Sequence, residues 1–238
     1  MRKNHILKAI SLLAALCIAA GCRGSTTAET TAGAAIQAET SPVSETTTAA
    51  ESVSAEVEEL EVDHVDEDGT VYYKDPTEWT YEMVYEALTI EGKKVQAPLT
   101  FEDFEDKYSL DEATLTYFKD SSCVGAGIIY NGKNFLSVVF LDCANKGDTK
   151  NKEISLICLR NTEQELQDDF PDIKINGITL GSSRSEIISA FGTPSFEIYD
   201  GLSPYSLSYK SDLNADNRSL VFILNDDKVR TMYIELHE

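Results

Sequence analysis

The sequence predicts an α+β protein: two tandem small units, each a short helix packed on an antiparallel β-meander, behind a disordered N-terminal tether. Three observations predict it. A long stretch rich in Ser, Thr, Ala and Glu holds no aromatic residue and ends only at Tyr72 and Tyr73. After it a glycine turn, a short helical pattern and a run of strand patterns follow in order. The same order then recurs nearer the C-terminus, and internal repetition of this kind has to be read before any fold is assigned. The resulting boundaries are 1–21 for a signal segment, 22–60 for the tether, 61–165 for the first unit and 166–238 for the second.

The N-terminus carries the sharpest signal. Arg2 and Lys3 precede residues 6–20, which are mostly apolar with Lys8 near their start, and Ala19-Ala20-Gly21 leads into Cys22. A basic start, an apolar stretch and small residues before a cleavage point make a secretory signal peptide. The apolar stretch falls short of the roughly 20 residues that span a bilayer. Small residues followed by cysteine resemble the lipobox of bacterial lipoproteins, with Ala19 at the place usually held by Leu. That resemblance implies lipidation of Cys22, a membrane anchor and an extracytoplasmic location. Each buried methylene of a lipid chain contributes about 0.8 kcal/mol to such anchoring.

Residues 23–60 then read as a spacer, because a Ser/Thr/Ala/Glu segment buries too little apolar surface to offset its ordering entropy. The whole chain carries 20 basic and 41 acidic residues. Loss of residues 1–21 removes Arg2, Lys3 and Lys8 and no acid, which leaves 17 against 41, a net charge of −24. This charge repels nucleic-acid phosphates and no basic patch compensates, so no nucleic-acid partner is expected. It favours a protein partner with a basic surface. Beyond Cys17 and Cys22, the cysteines are Cys123, Cys143 and Cys158, an odd number that allows one intramolecular bridge at most. Cys143 and Cys158 border or sit inside apolar runs, so burial as small hydrophobes competes with bridging.

In the first unit, Trp79, Tyr81, Met83 and Tyr85 alternate with polar or smaller residues and read as a strand, with an amphipathic helix as the competing assignment. Residues 100–108 (TFEDFEDKY) read as a helix, with Thr100 as N-cap, acids in the first turn, and Phe101, Phe104 and Tyr108 on one face. Residues 127–130 and 134–141 read as a hairpin about Asn131-Gly132-Lys133, since Asn-Gly between apolar runs is a strong turn signal. Residues 153–159 supply a further strand.

In the second unit, Ile175-Asn176-Gly177-Ile178 echoes Ile90-Glu91-Gly92-Lys93. Residues 183–191 (SRSEIISAF) echo 100–108, with Ser183 as N-cap and Glu186 closing a capping box. Gly192-Thr193-Pro194 ends that helix. Strands follow at 196–199, 205–209, 219–224 and 229–236, with a tight turn at Asn225-Asp226-Asp227-Lys228. The stretch from Gly177 through Ser183, Glu186 and Phe191 to Gly192 and Pro194 resembles the SmpA/OmlA (BamE-like) superfamily, and Ser219–Phe222 with Lys228–Ile234 resembles its closing hairpin. A tandem pair of such units resembles the β-lactamase-inhibitory-protein family. Both resemblances imply binding of a protein partner as scaffold or inhibitor, not catalysis, although fold alone does not carry function.

The chemistry-bearing residues agree with that expectation. After Cys22 the histidines are His64, in an acidic lead-in, and His237, next to last, and neither pattern supports a nucleophile–base pair. Asp212-Leu213-Asn214-Ala215-Asp216-Asn217 copies the start of an EF-hand loop, but Asn217 replaces the required glycine and Ile223 the closing Glu. No catalytic residue, metal site or cofactor is therefore expected. Strand alternation puts Tyr205, Leu207 and Tyr209 toward the helix. It puts Arg230, Met232, Ile234 and Leu236 on one face of the last strand and Val229, Thr231, Tyr233 and Glu235 on the other. Val221 and Ile223 join this second set. Val221, Ile223, Thr231 and Tyr233 are the candidate partner-binding residues, unless the sister unit covers them. The function expected is a cell-envelope lipoprotein that binds an exported protein, with a small-ligand or ion-binding lipoprotein as the alternative.

Overall fold

The computed structural model describes residues 60–161, 170–201, 203–209 and 220–237. The signal segment, Cys22, the spacer up to residue 59 and the EF-hand-like loop at 212–217 lie outside the described residues.

The expected α+β tandem is overturned: the chain is mostly β. Ten strands form one antiparallel sheet and three form a small second sheet, with two α-helices among the described residues. In chain order the strands are β1 (Val62–Val65), β2 (Val71–Tyr73), β3 (Leu88–Ile90), β4 (Lys93–Lys94), β5 (Tyr108–Phe118), β6 (Cys123–Tyr130), β7 (Lys133–Phe140), β8 (Ile154–Arg160), β9 (Ile173–Ile175), β10 (Phe196–Asp200), β11 (Ser203–Tyr209), β12 (Leu220–Asn225) and β13 (Lys228–Glu235). The helices are α1 (Tyr81–Ala87) and α2 (Arg184–Phe191). The large sheet runs β1-β2-β10-β11-β12-β13-β8-β7-β6-β5 and the small one β4-β3-β9.

The reason for the difference lies at one seam. The meanders β5–β8 and β10–β13 do not each fold against a helix of their own. Their edges pair, from Thr231 opposite Arg160 to Glu235 opposite Leu156, so that β8 and β13 carry one ladder through both. Pairing two edges satisfies backbone groups that would otherwise be an exposed template for aggregation. One core covers one face of the continuous sheet. It joins Val84 of α1, Leu88 and Ile90 of β3, Ile173 and Ile175 of β9, and Ile187 and Phe191 of α2 to Leu136, Ile157, Phe222 and Met232 of the sheet.

Two element assignments change for local reasons. Residues 79–86, expected as a strand, are largely helical, over Tyr81–Ala87, because Tyr81, Val84 and Leu88 are buried at helical spacing while Met83 is exposed. Thr80 caps that helix by accepting from the Met83 N–H at 3.4 Å. Residues 100–108, expected as a helix, make only a 3-10 turn, Phe101–Asp103. The cap is as expected, with the Thr100 N–H donating to Asp103 Oδ2 at 2.7 Å, but Phe104 is extended and Tyr108 opens β5 opposite Tyr130. Three-residue spacing of Phe101 and Phe104 serves a single 3-10 turn as well as a helix, and their rings lie 5.7 Å apart.

Other expectations hold. The Asn131-Gly132 hairpin joins β6 to β7, with positive φ at both turn residues. Glu91-Gly92 and Asn176-Gly177 both turn with positive φ, and the strands before them, β3 and β9, pair with each other, Leu88 opposite Ile175. Asp226 and Asp227 both take positive φ in the turn between β12 and β13. Helix α2 starts at a full capping box: Ser183 accepts from the Glu186 N–H, and the Ser183 N–H donates to Glu186 Oε2 at 2.6 Å. It ends at Gly192, whose φ of 79° and ψ of −154° are a conformation essentially confined to glycine. A Cβ there would also lie 2.2 Å from Thr77 Oγ1.

Candidate functional site

Side chains alternate between the faces of a strand, so a sheet with one core leaves a second face to account for. The candidate residues form two cross-strand pairs on it, Val221 opposite Tyr233 and Ile223 opposite Thr231. The pairs extend sideways in the ladder. Ser208 stands beside Val221 and Ser206 beside Ile223. On the other side Cys158 stands beside Tyr233, and Arg160 beside Thr231. Cys158 in turn faces Ser137, and Ser137 faces Gly127. The sister meander thus extends this face sideways along the sheet.

Burial differs within the row. Val221, Ile223 and Tyr233 are half-buried, whereas Thr231 is buried. Tyr233 packs on a second apolar cluster made by Cys123, Val139 and Leu156, with Phe118 and Leu141 at its margin. This cluster is separate from the main core and belongs to the strands of the other meander. The row therefore combines a central phenol, two aliphatic side chains and short hydroxyl or thiol residues, with the half-buried Arg160 beside Thr231.

One face assignment in β13 is corrected. Leu224 pairs with Val229 while Ile223 pairs with Thr231, which leaves Arg230 as an extra residue. Such a bulge reverses alternation locally. Val229 consequently enters the main core with Met232, Ile234 and Leu236, and Arg230, expected beside them, is half-buried outside it. In β11, Leu207 and Tyr209 take the helix-covered face as expected, and the Tyr209 ring lies 5.4 Å from Phe191. Tyr205 departs from that set and is 45% exposed.

The buried polar chemistry sits on the helix side. Glu197 of β10 is wholly buried and receives Arg184 of α2 in a fork, at 2.7 and 3.2 Å to Oε1 and 3.3 Å to Oε2. The Tyr199 hydroxyl donates to Glu197 Oε2 at 2.9 Å. Burial raises the phenol of Tyr73 above its ordinary value, aided by a hydrogen bond with Tyr199 and the Glu197 charge. Sequence reading passed over this cluster. Its signal was Glu197, an acid set between Phe196 and Ile198 in a strand, which needs a buried cation as partner. The pair fixes helix to sheet, with the carboxylate fully occupied by donors.

A second set of titratable groups links Tyr108 and Lys107 to Glu91, and Lys107 and Lys93 to Glu105. His64 is exposed, stacks on Tyr72 with ring centroids 4.4 Å apart, and lies 2.9 Å from Asp63. His237 lies 3.6 Å from Glu153. Cys123, Cys143 and Cys158 are buried. Burial pushes the Cys143 thiol up to about 11, which suppresses the nucleophilic thiolate. Among the described residues no group of three or more His, Cys, Asp or Glu could hold a metal ion, and no helix is long and apolar enough to cross a membrane. Comparison with protein-family models, curated proteins and solved structures finds no match.

Proposed function

We propose that this chain is a non-enzymatic binding lipoprotein of a bacterial cell envelope, lipidated at Cys22 and held at the extracytoplasmic face of the membrane by its spacer. Its partner is one envelope or exported protein, bound as a scaffold or inhibitor through Val221, Ile223, Thr231 and Tyr233. The observation that carries this reading is the placement of the first two and Tyr233, half-buried, on the sheet face away from the core. A contiguous apolar patch with an aromatic at its centre is the surface type on which binding energy concentrates. The net charge of −24 after loss of residues 1–21 favours a partner with a basic rim, which speeds encounter. The basic start, short apolar stretch and Cys22 support the anchor. The likeness of residues 177–194 to the BamE-like stretch supports binding over catalysis.

The reading is tested by cross-linking the tagged full chain in its native envelope and identifying what it retains. One stoichiometric protein, lost on Ile223→Arg, supports it. Turnover of a substrate by the purified chain, or capture that Ile223→Arg leaves unchanged, refutes it.

A further inference from the structure

Strands β1 and β2 form a hairpin at one margin of the large sheet, before the rest of the fold begins. It is closed on itself. The Asp66 N–H donates to Thr70 O at 2.9 Å, the Gly69 N–H to Asp66 O at 3.0 Å and the Lys74 N–H to Glu61 O at 2.9 Å. In the sheet it meets the body through β2 alone. β2 pairs with β10 at two positions, Tyr72 opposite Phe196 and Val71 opposite Glu197, and the Tyr72 and Phe196 rings lie 5.6 Å apart. Every residue of β1 is exposed, including Val62 at 46% and Val65 at 58%.

The attachment becomes strong at one place. Tyr73 is buried beside Tyr199 and the Arg184–Glu197 pair. Beyond it the Thr77 N–H donates to Thr193 O at 2.8 Å and Trp79 Nε1 to Phe191 O at 3.1 Å. The boundary between a loose hairpin and a fixed body therefore falls at Tyr73. Charge sharpens the contrast. Between Glu61 and Tyr72 there are five acids, Glu61, Asp63, Asp66, Glu67 and Asp68, and no lysine or arginine. The chain as a whole is strongly acidic, so long-range charge opposes docking of the hairpin at low salt, and the Lys74–Glu61 ion pair at its base, 3.2 Å long and solvent-exposed, offsets this only weakly.

We propose that residues 61–72 are a strap that swings off β10 about its base, where Glu61 and Val62 stay paired with Lys74 and Tyr73, while the body stays folded, uncovering Phe196 on the margin of β10. Phe196 is 4% exposed with the strap in place. Opening presents its ring and the β10 backbone together. A further consequence rests on the anchored-tether reading: the tether from Cys22 joins the fold at the strap, so a pull from the membrane loads the strap before any strand of the core.

Hydrogen exchange of the full chain in solution, followed by mass spectrometry in 20 mM and 500 mM salt, tests the strap without membrane or partner. Peptides over 61–72 are expected to exchange at least about 100-fold faster than those over β12 and β13, as a low-stability local unit does. The higher salt is expected to slow the strap and leave β12 and β13 unchanged. Tyr72→Ala is expected to speed strap exchange a further 3- to 10-fold, roughly the worth of an aromatic pair, again with β12 and β13 unchanged. Exchange of the strap at the rate of β12 and β13, or salt and Tyr72→Ala shifting both together, would show that the hairpin opens only with the whole fold and overturn the proposal.

Discussion

Arg184 and Glu197 form a forked ion pair across 13 residues of sequence, with the guanidinium a quarter exposed and the carboxylate wholly buried. The asymmetry decides what each substitution does. Arg184→Ala leaves a buried carboxylate with no cation, at a cost of about 3–5 kcal/mol. Glu197→Gln keeps a hydrogen-bond acceptor in place and strands the charge of an arginine that can still reach water, so it is expected to cost less. Urea melts of the two variants check the order; equal losses would contradict it.

Gly192 makes a second point where one residue answers to several others. Its N–H donates to Ile188 O at 2.8 Å, its carbonyl accepts from the Tyr209 hydroxyl at 3.1 Å, and Thr77 fills the space a Cβ needs. Gly192→Ala is expected to destabilise by about 2–4 kcal/mol, from backbone strain and overpacking together. Pairing it with Thr77→Ala is expected to recover only the packing part, so the two changes are non-additive in a double-mutant cycle.

Stability is expected to fall steeply above about pH 10, the ordinary value for a tyrosine. Burial raises the phenols of Tyr73, Tyr108 and Tyr209 above that value in the folded chain. Above pH 10 the unfolded chain loses these protons while the folded chain keeps them, so the contribution is complete below 10 and is lost as pH rises. Tyr209→Phe, measured by thermal melts at pH 8 to 11, is expected to flatten the slope while lowering stability at pH 8 through loss of the bond to Gly192.

The anchor makes its own prediction. Cells fed an alkyne-bearing fatty acid are expected to label the wild-type chain, and Cys22→Ala is expected to lose the label and leave the membrane fraction. Labelling retained by the variant contradicts lipidation at Cys22.

What the sequence revealed followed the range of the interactions. Ser183 and Glu186 cap α2 through neighbours three residues apart, and Asn131-Gly132 turns the β6–β7 hairpin within two, so both were legible. Val221 and Tyr233, and Ile223 and Thr231, were placed on one face by alternation, which the β12–β13 register reproduces. The union of the two meanders was not legible, because the partnership of Leu156 with Glu235 crosses 79 residues and no local pattern encodes it. The bulge at Arg230 was hidden for a similar reason: alternation assumes an unbroken pair, and the partner strand decides where it breaks. The strand expected at 79–86 failed because Trp79, Tyr81, Met83 and Tyr85 mimic a period of two, while burial of Tyr81, Val84 and Leu88 follows the helix.

The most direct test of the account places a photoreactive side chain at position 223 of the full chain in its native envelope, and in a second variant at position 74, where Lys74 is exposed. The account predicts a single covalent adduct to one protein from position 223, absent from position 74 and suppressed by Tyr233→Ala. Equal adducts from both positions, or none from position 223, would contradict the assignment of this sheet face as the binding surface.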